Sequence, residues 1–297
     1  MFRGRGEHPH IGRVKHRVVP EYVTINIGFD EPIPPCPIPG HSWKGVVNNT
    51  DATWLCHFSD EKNTYSKSKK YLFLSAESDI KAQNDIKKYE RARRLKKIIK
   101  DVRTTYFKLM NSNSKEDNQL GLATYLIDKL ALRVGNEKGE DEADTVGCCS
   151  LRVEHISLGD ENKVTFDFLG KDSMRYTNTI VVEEIVYKSF KAFFVKPFNG
   201  NIANKDPKDD LFDLISAGKL NDHLKTHMDD LSAKVFRTYN ASITLQEQLE
   251  ENKVRIKNSS TENEKFTVFN ECNRKVAILC NHQKAVSKTL TEQLERI

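Results

Sequence analysis

The fold class follows from one stretch, KVTFDFLGKDSMRY, which occupies residues 163–176. Val164, Phe166 and Phe168 alternate with polar residues, as they do in a strand that buries one face. The turn-forming residues Gly170-Lys171-Asp172 follow, and the chain then returns with a second short run. The stretch therefore predicts an antiparallel β-hairpin with Lys171 at its tip.

Helical patterns flank this hairpin on both sides. Between residues 79 and 110, apolar residues recur every three or four positions, at Ile86, Tyr89, Ala92, Leu95, Ile98, Val102, Tyr106 and Leu109. Residues 111–114 are typical of a loop, and a second helix is expected over 120–132. Further helices are expected over most of 181–200, 211–232, 241–252 and 266–284, with a polar loop at 258–263.

The first 74 residues differ from the rest of the chain. Short β-rich runs occur at 22–27, 53–56 and 71–74, and five prolines lie between residues 32 and 39. Proline fixes φ and lacks a backbone donor, which excludes a helix or a central strand in that interval. The fold class is therefore α+β, with a β-rich N-terminal lobe followed by a mainly α-helical domain that contains a small antiparallel sheet.

The composition excludes a membrane protein, a collagen-like chain and a small disulfide scaffold. The 297 residues are 38% hydrophobic and carry a net charge of +5, and the mean hydropathy is −0.61. No apolar run approaches the roughly 18 residues of a membrane span, and residues 1–6 contain no apolar core of a signal peptide. Residues 1–20 hold five Lys/Arg against one acid, and residues 81–110 hold eleven against three. This clustering favours a polyanionic partner.

Common catalytic and metal motifs are missing from the sequence. There is no G-x-x-x-x-G-K-[ST], G-x-G-x-x-G, H-E-x-x-H or G-x-S-x-G, so nucleotide hydrolysis, nicotinamide chemistry and zinc or serine hydrolysis lack their usual markers. His223 and His227 have helical metal-ligand spacing, but a third ligand is not nearby, and we expect no metal. The six cysteines form no C-x-x-C pair, and we expect reduced thiols in an intracellular protein.

Five long blocks, in order, resemble eukaryotic type IB DNA topoisomerase, and so does the opening FRGRG at residues 2–6. The blocks are LALRVGNEK (130–138), ADTVGCCSLRVEH (143–155), FLGKDS (168–173), AKVFRTYNAS (233–242) and AILCNHQ (277–283). Enzymes of this family transfer one DNA phosphodiester to a tyrosine, let the free end rotate and reseal the strand. The resemblance implies ATP-independent relaxation of supercoiled double-stranded DNA in the nucleus, without a metal or another cofactor. It also implies that the helical domain has the tyrosine recombinase/topoisomerase IB catalytic fold.

The resemblance assigns four catalytic residues. Arg133, Arg237 and His282 would donate hydrogen bonds to the non-bridging oxygens of the phosphorane-like transition state. Arginine suits this task because it is permanently charged and donates bidentately to phosphate. Lys171 would protonate the 5′-oxygen leaving group, since an ammonium can release a proton and a guanidinium practically cannot.

Other residues match DNA-contacting positions of the family, where most contacts would go to phosphate. They are Arg5, Trp54, Lys70, Tyr71, Lys81, Val134, Gly135, Asn136, Glu137, Lys138, Thr145, Ser232, Ala233 and Lys234. Trp54 is equally compatible with a core position. Asn136 and Asp172 are expected to support the site by hydrogen bonds, and the basic helix at 87–103 could face either the duplex or a linker.

The chain departs from the family at the nucleophile. The family tyrosine lies in a C-terminal Ser-Lys-x-x-Tyr block, whereas Ser287-Lys288-Thr289-Leu290-Thr291 places threonine there. The chain is thus expected to be a fragment, or a subunit completed by a separate tyrosine-bearing C-terminal chain. The expected domains are a DNA-binding lobe at 1–74, the catalytic core at 75–286 and the start of a linker helix at 287–297. A non-catalytic duplex-binding module and a tyrosine recombinase, which uses a similar cationic set, are the alternative functions.

Overall fold

The computed structural model describes residues 6–14, 17–59, 69–136, 138, 142–198 and 201–282, with the side chains of 197, 198 and 201 excepted. Arg5, Glu137 and the linker expected at 287–297 lie outside the described residues. The chain divides into two compact units. The first unit comprises Met1–Lys88 with Lys138–Asp144, and the second comprises Tyr89–Glu137 with Thr145–Ile297.

The first unit contains a four-stranded sheet. Its strands are β1 (Val23–Asn26), β2 (Gly45–Val47), β3 (Trp54–Phe58) and β4 (Lys70–Phe73). The order is β2-β1-β3-β4, with β1 parallel to β2 and the other pairs antiparallel. The proline-rich interval between β1 and β2 forms neither helix nor strand. The prediction of a β-rich N-terminal lobe is confirmed.

Two helices open the second unit's core. Helix α1 (Asp79–Met110) begins in the first unit and continues into the second, and α2 (Lys115–Leu130) follows a short loop. Ser114 starts α2 as its N-cap, because its side chain accepts a hydrogen bond from the backbone N–H of Asp117 at 3.3 Å. Successive turns of α1 from Ala92 onward contribute buried residues, among them Leu95, Val102 and Tyr106. In α2, ten of the 16 residues are buried, all of them from Gln119 onward.

The predicted hairpin is present and extends a three-stranded antiparallel sheet. The strands are β5 (Ile156–Leu158), β6 (Lys163–Leu169) and β7 (Arg175–Val181), in the order β5-β6-β7. Val164, Phe166 and Phe168 are buried on one face, and the ring of Phe168 stacks on that of Tyr176 with centroids 5.0 Å apart. The opposite face carries an exposed ion pair between Asp167 and Arg175.

The remaining elements are α3 (Glu184–Phe193), β8 (Val195–Phe198), β9 (Asn201–Asn204), α4 (Ala217–Lys225), α5 (Ala233–Glu251), α6 (Lys253–Asn258) and α7 (Glu262–Leu279). Three predictions were wrong here. Of the helix expected over most of 211–232, only the nine residues of α4 are helical. The helix expected through residue 200 ends at Phe193, and β8 pairs with β9 instead. The helix expected at 241 begins eight residues earlier, after Ser232.

One hydrophobic core joins helices α1 to α5 and the three-stranded sheet of the second unit. Its fully buried members include Leu95, Leu122, Leu126, Phe166, Phe190 and Phe236. All six cysteines are free thiols, as expected from their spacing. No described helix combines the length and the apolarity that crossing a membrane requires.

Candidate functional site

The segment that carries Arg133 is held by the backbone. Helix α2 ends at Leu130, and Ala131 takes a left-handed conformation with φ of 49°, which turns the chain away from the helix axis. The backbone N–H groups of Cys148 and Cys149 donate to the carbonyls of Arg133 and Val134, both at 2.7 Å. Two segments distant in sequence are thereby joined, and the Arg133 side chain remains exposed.

This junction needs two glycines. A Cβ on Gly147 would lie 2.5 Å from the Cα of Gly135, and Gly135 has a φ of +77°. Both distance and dihedral exclude an ordinary side chain, because real Cβ contacts are longer and positive φ is costly for L-residues. The close approach of these backbones therefore fixes where the Arg133 segment lies.

Lys171 lies at the tip of the β6–β7 hairpin. Gly170 donates its backbone N–H to the Met174 carbonyl at 2.9 Å, which closes the tip. Asp172 has a φ of 65° inside the short 3₁₀ turn Lys171–Ser173. The Lys171 side chain is exposed, so it can reach a bound ligand without first breaking a buried contact.

Arg237, on the second turn of α5, holds two loops together. Its guanidinium donates to the backbone carbonyl of Ala131, and also to that of Cys280 at 3.1 Å. The Nη2 atom lies 3.4 Å from Nε2 of His282. Since a guanidinium can only donate, Nε2 accepts in this arrangement, which leaves the neutral ring's proton on Nδ1.

His282 follows the end of α7. Its backbone N–H donates to the Ala277 carbonyl at 2.8 Å, and Asn281 adopts a left-handed φ of 49°. The side-chain amide of Asn281 donates to the backbone carbonyl of Arg175 in β7 at 3.3 Å. The loop that carries His282 is thus tied to the hairpin that carries Lys171.

These four side chains line one cavity of about 200 Å³. Apolar walls come from residues such as Leu132, Val146 and Phe168, and Asp172 is the only carboxylate among the described lining residues. Burial, followed by the charges of Arg237 and Arg133, lowers the pKa of His282. Burial and the charge of Arg133 also lower the pKa of Arg237. Clustered positive charge with directed donors is suited to a tetrahedral oxyanion such as a DNA phosphate.

A buried carboxylate stabilises the framework behind the cavity. Asp128, near the end of α2, is fully buried and accepts from Arg103 Nε at 2.9 Å and from the Tyr106 hydroxyl at 3.1 Å. Asn240, one turn after Arg237, donates to the Asp128 backbone carbonyl at 2.6 Å. Helices α1, α2 and α5 therefore meet at one residue.

The basic stretch of α1 is largely engaged within the protein. Arg91 and Arg94 both bind Asp230, and Arg103 binds Asp128. Lys96 donates to Gln246 at 3.3 Å. Several of the Lys and Arg side chains of α1 are therefore bound to partners within the protein.

The predicted DNA-contacting residues fall in both units. In the first unit, the rings of Trp54 and Tyr71 form an edge-to-face pair with centroids 5.8 Å apart, so Trp54 belongs to a half-exposed cluster on β3 and β4. Lys70 is exposed on β4, and Lys138 is also exposed. Lys81 donates to the Leu74 carbonyl and lies 5.9 Å from the Phe73 ring centroid.

In the second unit, Val134, Gly135 and Asn136 continue the segment that carries Arg133, and Thr145 is half-buried. Ser232 is the N-cap residue of α5, Ala233 is buried and Lys234 is exposed. The backbone N–H of Ala233 donates to Asn221 Oδ1 at 3.0 Å. Arg5 and Glu137 lie outside the described residues.

The sequence analysis missed Asn281 and Gly147 as parts of this site. Both belong to the matched blocks, but their roles depend on a hydrogen bond or a close approach between distant segments. Among the described residues, no three His, Cys, Asp or Glu side chains are arranged to hold a metal. The rings of His223 and His227 instead meet edge to face, with centroids 5.5 Å apart.

Comparisons with known proteins match the whole chain. The family model for the catalytic core of eukaryotic DNA topoisomerase I matches residues 77–297, and that for its DNA binding fragment matches residues 1–74. DNA topoisomerase 1 beta of Arabidopsis thaliana is 49% identical over 100% of this chain. DNA topoisomerase 1 of Schizosaccharomyces pombe is also 49% identical, and that of Homo sapiens is 48% identical. The chain spans only 31%, 34% and 37% of these relatives, respectively.

Proposed function

Because the chain belongs to the eukaryotic DNA topoisomerase I family, we propose that it supplies the core of a type IB DNA topoisomerase. Its substrate would be duplex DNA in the nucleus, relaxed by transient cleavage and religation of one strand. The convergence of Arg133, Lys171, Arg237 and His282 on one cavity is the observation that carries this proposal.

The cavity suits phosphoryl transfer to a tyrosine. Attack on the scissile phosphorus places additional negative charge on the non-bridging oxygens, where Arg133, Arg237 and His282 would donate. The contacts of Arg237 to two carbonyls set the orientation of its guanidinium before DNA binds, so little reorganisation is needed. A phosphotyrosyl bond retains the energy of the broken phosphodiester, and religation as proposed consumes no ATP.

Lys171 would act as the general acid. The 5′-oxygen needs a proton as the P–O bond breaks, and an exposed ammonium at a hairpin tip can approach it from the solvent side. His282 is a poorer candidate for this acid, because its lowered pKa favours the neutral ring at neutral pH.

We propose that the attacking tyrosine comes from a separate segment. Tyr176 is the only tyrosine among the described residues that line the cavity. It is buried against Phe168, and burial raises the pKa of its phenol, which opposes formation of a phenolate nucleophile. The Ser-Lys-x-x-Tyr block that carries the nucleophile in the family has no counterpart in the sequence.

The test is complementation. The chain is mixed with a tyrosine-bearing C-terminal segment of a relative, and relaxation of supercoiled plasmid is measured together with covalent trapping on a suicide DNA substrate. We expect relaxation and a covalent adduct on the added segment only in the mixture. Duplex binding without either would favour the non-catalytic module, and an adduct on this chain alone would overturn the proposed separation.

Two variants test the role of Lys171 in this assay. Lys171→Ala should reduce cleavage by about 100-fold or more, as expected when a general acid is lost. Lys163→Ala is the matched control, because Lys163 lies at the opposite end of the same hairpin and pairs with Glu161. Equal losses in both variants would indicate that the hairpin was disrupted, and would remove the case for Lys171 as the acid.

A further inference from the structure

Two adjacent thiols behind the Arg133 segment have no role in the proposed phosphoryl transfer. Cys148 is fully buried and its Sγ lies 3.5 Å from the Ala123 carbonyl. Cys149 is half-buried and follows Cys148 directly in the short turn Cys148–Ser150. The two thiols are thus adjacent along the chain.

One of these thiols opens onto a second cavity. Cys149 lines a space of about 370 Å³ together with Gly135, Asn136 and Ser150. A small reagent can therefore approach Cys149 first, and the buried Cys148 is the residue that precedes it in the chain. The remaining lining comes from the loop that leads into α4, including Phe212 and Ser216.

The pair is poorly placed for a disulfide. Adjacent Cα atoms across a trans peptide are about 3.8 Å apart, whereas disulfides span about 4.4–6.8 Å. Both backbone N–H groups are also held by the carbonyls of Arg133 and Val134. A single atom that bonds to both sulfurs lengthens the bridge and removes this mismatch.

We propose that Cys148 and Cys149 form a chelating dithiol site for trivalent arsenicals, and that its occupation loosens the Arg133 segment. With phenylarsine oxide, the As=O unit is lost, two As–S bonds form, and the oxygen leaves with both thiol protons as one water. Arsenic stays trivalent, so the step needs no oxidant. Chelation makes the second bond intramolecular, which is worth about 100-fold or more in affinity over one thiol.

The coupling to Arg133 follows from the backbone. To give Cys148 access to the bridging atom, the short turn Cys148–Ser150 must open. Its amides are the donors to the carbonyls of Arg133 and Val134, and Gly147 packs against Gly135 at the same place. Movement of the turn therefore weakens the junction that positions the arginine.

Intact-mass spectrometry of the full chain with phenylarsine oxide tests the site. We expect one tightly held adduct that survives excess 2-mercaptoethanol and is removed by 2,3-dimercaptopropanol. Cys149→Ser and Cys148→Ala should each weaken it about 100-fold, whereas Cys36→Ser, at a solitary half-exposed thiol, should not. An adduct retained in Cys149→Ser, or stripped equally well by the monothiol, would overturn the chelating site.

Hydrogen exchange tests the coupling independently of DNA cleavage. The amides of Cys148 and Cys149 should exchange at least tenfold faster in the adduct, while the β6–β7 amides remain protected. Unchanged exchange at these two amides would show that occupation leaves the Arg133 segment intact, and would refute the coupling even if chelation is observed.

Discussion

At the scale of single residues, Arg237 combines a proposed catalytic role with a structural one. Its guanidinium bonds to carbonyls at the ends of α2 and α7 and approaches His282. The charge of Arg237 is the second cause, after burial, of the lowered pKa of His282. The ring is therefore neutral over a wider pH range than an ordinary histidine.

Removing that charge should move the titration of His282. In Arg237→Gln we expect the His282 pKa to rise toward its ordinary value, because the nearby positive charge no longer opposes protonation. The measurement is an NMR titration of the histidine ring signals in the free chain. His57 provides an internal reference, since it lies on β3 in the other unit. An unchanged His282 pKa would mean that Arg237 and His282 are not adjacent.

Gly147 should not tolerate even one added methyl group. Its Cβ would lie 2.5 Å from backbone atoms of Gly135, so Gly147→Ala should lower the free energy of unfolding by about 1–3 kcal/mol. Urea unfolding measures the change. Gly159→Ala is the control, because the nearest atom to its new Cβ is 3.6 Å away on Lys163. Similar values for the two variants would contradict the close approach.

The sequence could predict the four side chains that line the cavity, but not the hydrogen bonds that hold them in place. Arg133, Lys171, Arg237 and His282 lie in blocks whose similarity to a family is visible in the residues themselves. The carbonyl partners of Arg237 carry no side-chain signature, since every residue has a carbonyl. The contact of Asn281 with β7 is equally invisible, because nothing local specifies a partner so distant along the chain.

At the scale of elements, Asp128 connects three helices. It is fully buried, and Arg103 and Tyr106 from α1 supply donors to its carboxylate. Asp128→Ala should cost about 1–3 kcal/mol, because the buried Tyr106 hydroxyl would lose its acceptor and the half-exposed Arg103 its ion pair. Thermal or urea unfolding measures the loss. Asp85→Ala, which removes an exposed carboxylate 3.7 Å from Lys88, should be nearly neutral.

Helical periodicity predicted the helix α1 well, but it did not predict which of its apolar residues are buried. Ile86 and Tyr89 fit the apolar stripe, yet they are 63% and 49% exposed. Ile99 and Met110, which the predicted stripe did not include, are buried instead. A periodic pattern gives the face of a helix, whereas the neighbours that cover each turn are set by tertiary packing.

Two of the errors in the predicted elements have local causes. Residues 181–200 are apolar enough for a helix, but Pro197 and the Asn199-Gly200 pair are typical of a hairpin, and the structure pairs β8 with β9. For α5, the signal was Ser232, a good N-cap residue, directly before the buried Ala233, Val235 and Phe236. Both signals are present in the sequence.

At the scale of the whole molecule, burial of histidines makes stability depend on pH. Burial lowers the pKa of His223 and of His227 below the model-peptide value of 6.5. Asp117 acts against this shift for His223, and Asp101 does so for His227. Both rings are accordingly held neutral in the folded protein.

We expect the protein to lose stability as the pH falls from 7 to about 5. Below the ordinary histidine pKa the unfolded chain takes up protons that the folded chain resists, so unfolding becomes more favourable. The double variant His223→Gln/His227→Gln should show a smaller decrease. Urea unfolding at a series of pH values measures both slopes. An equal slope in the double variant would show that these rings do not cause the effect.

The organisation of the chain into units was only partly accessible from the sequence. The sequence pattern changes from β-rich to helical near residue 74, but the compact first unit continues to Lys88 and also takes Lys138–Asp144 from a later part of the chain. No composition shift marks that return. It depends on folded contacts, which periodicity does not encode.

The touching backbones at positions 135 and 147 restrict how this protein can evolve. A crowded pair of side chains can usually be relieved by shrinking one when the other grows, so that a second substitution rescues the first. Here both partners already have the smallest residue that exists, and no compensating exchange is left. Rescue of a change at either glycine would require reshaping the main chain itself, together with the arginine it carries.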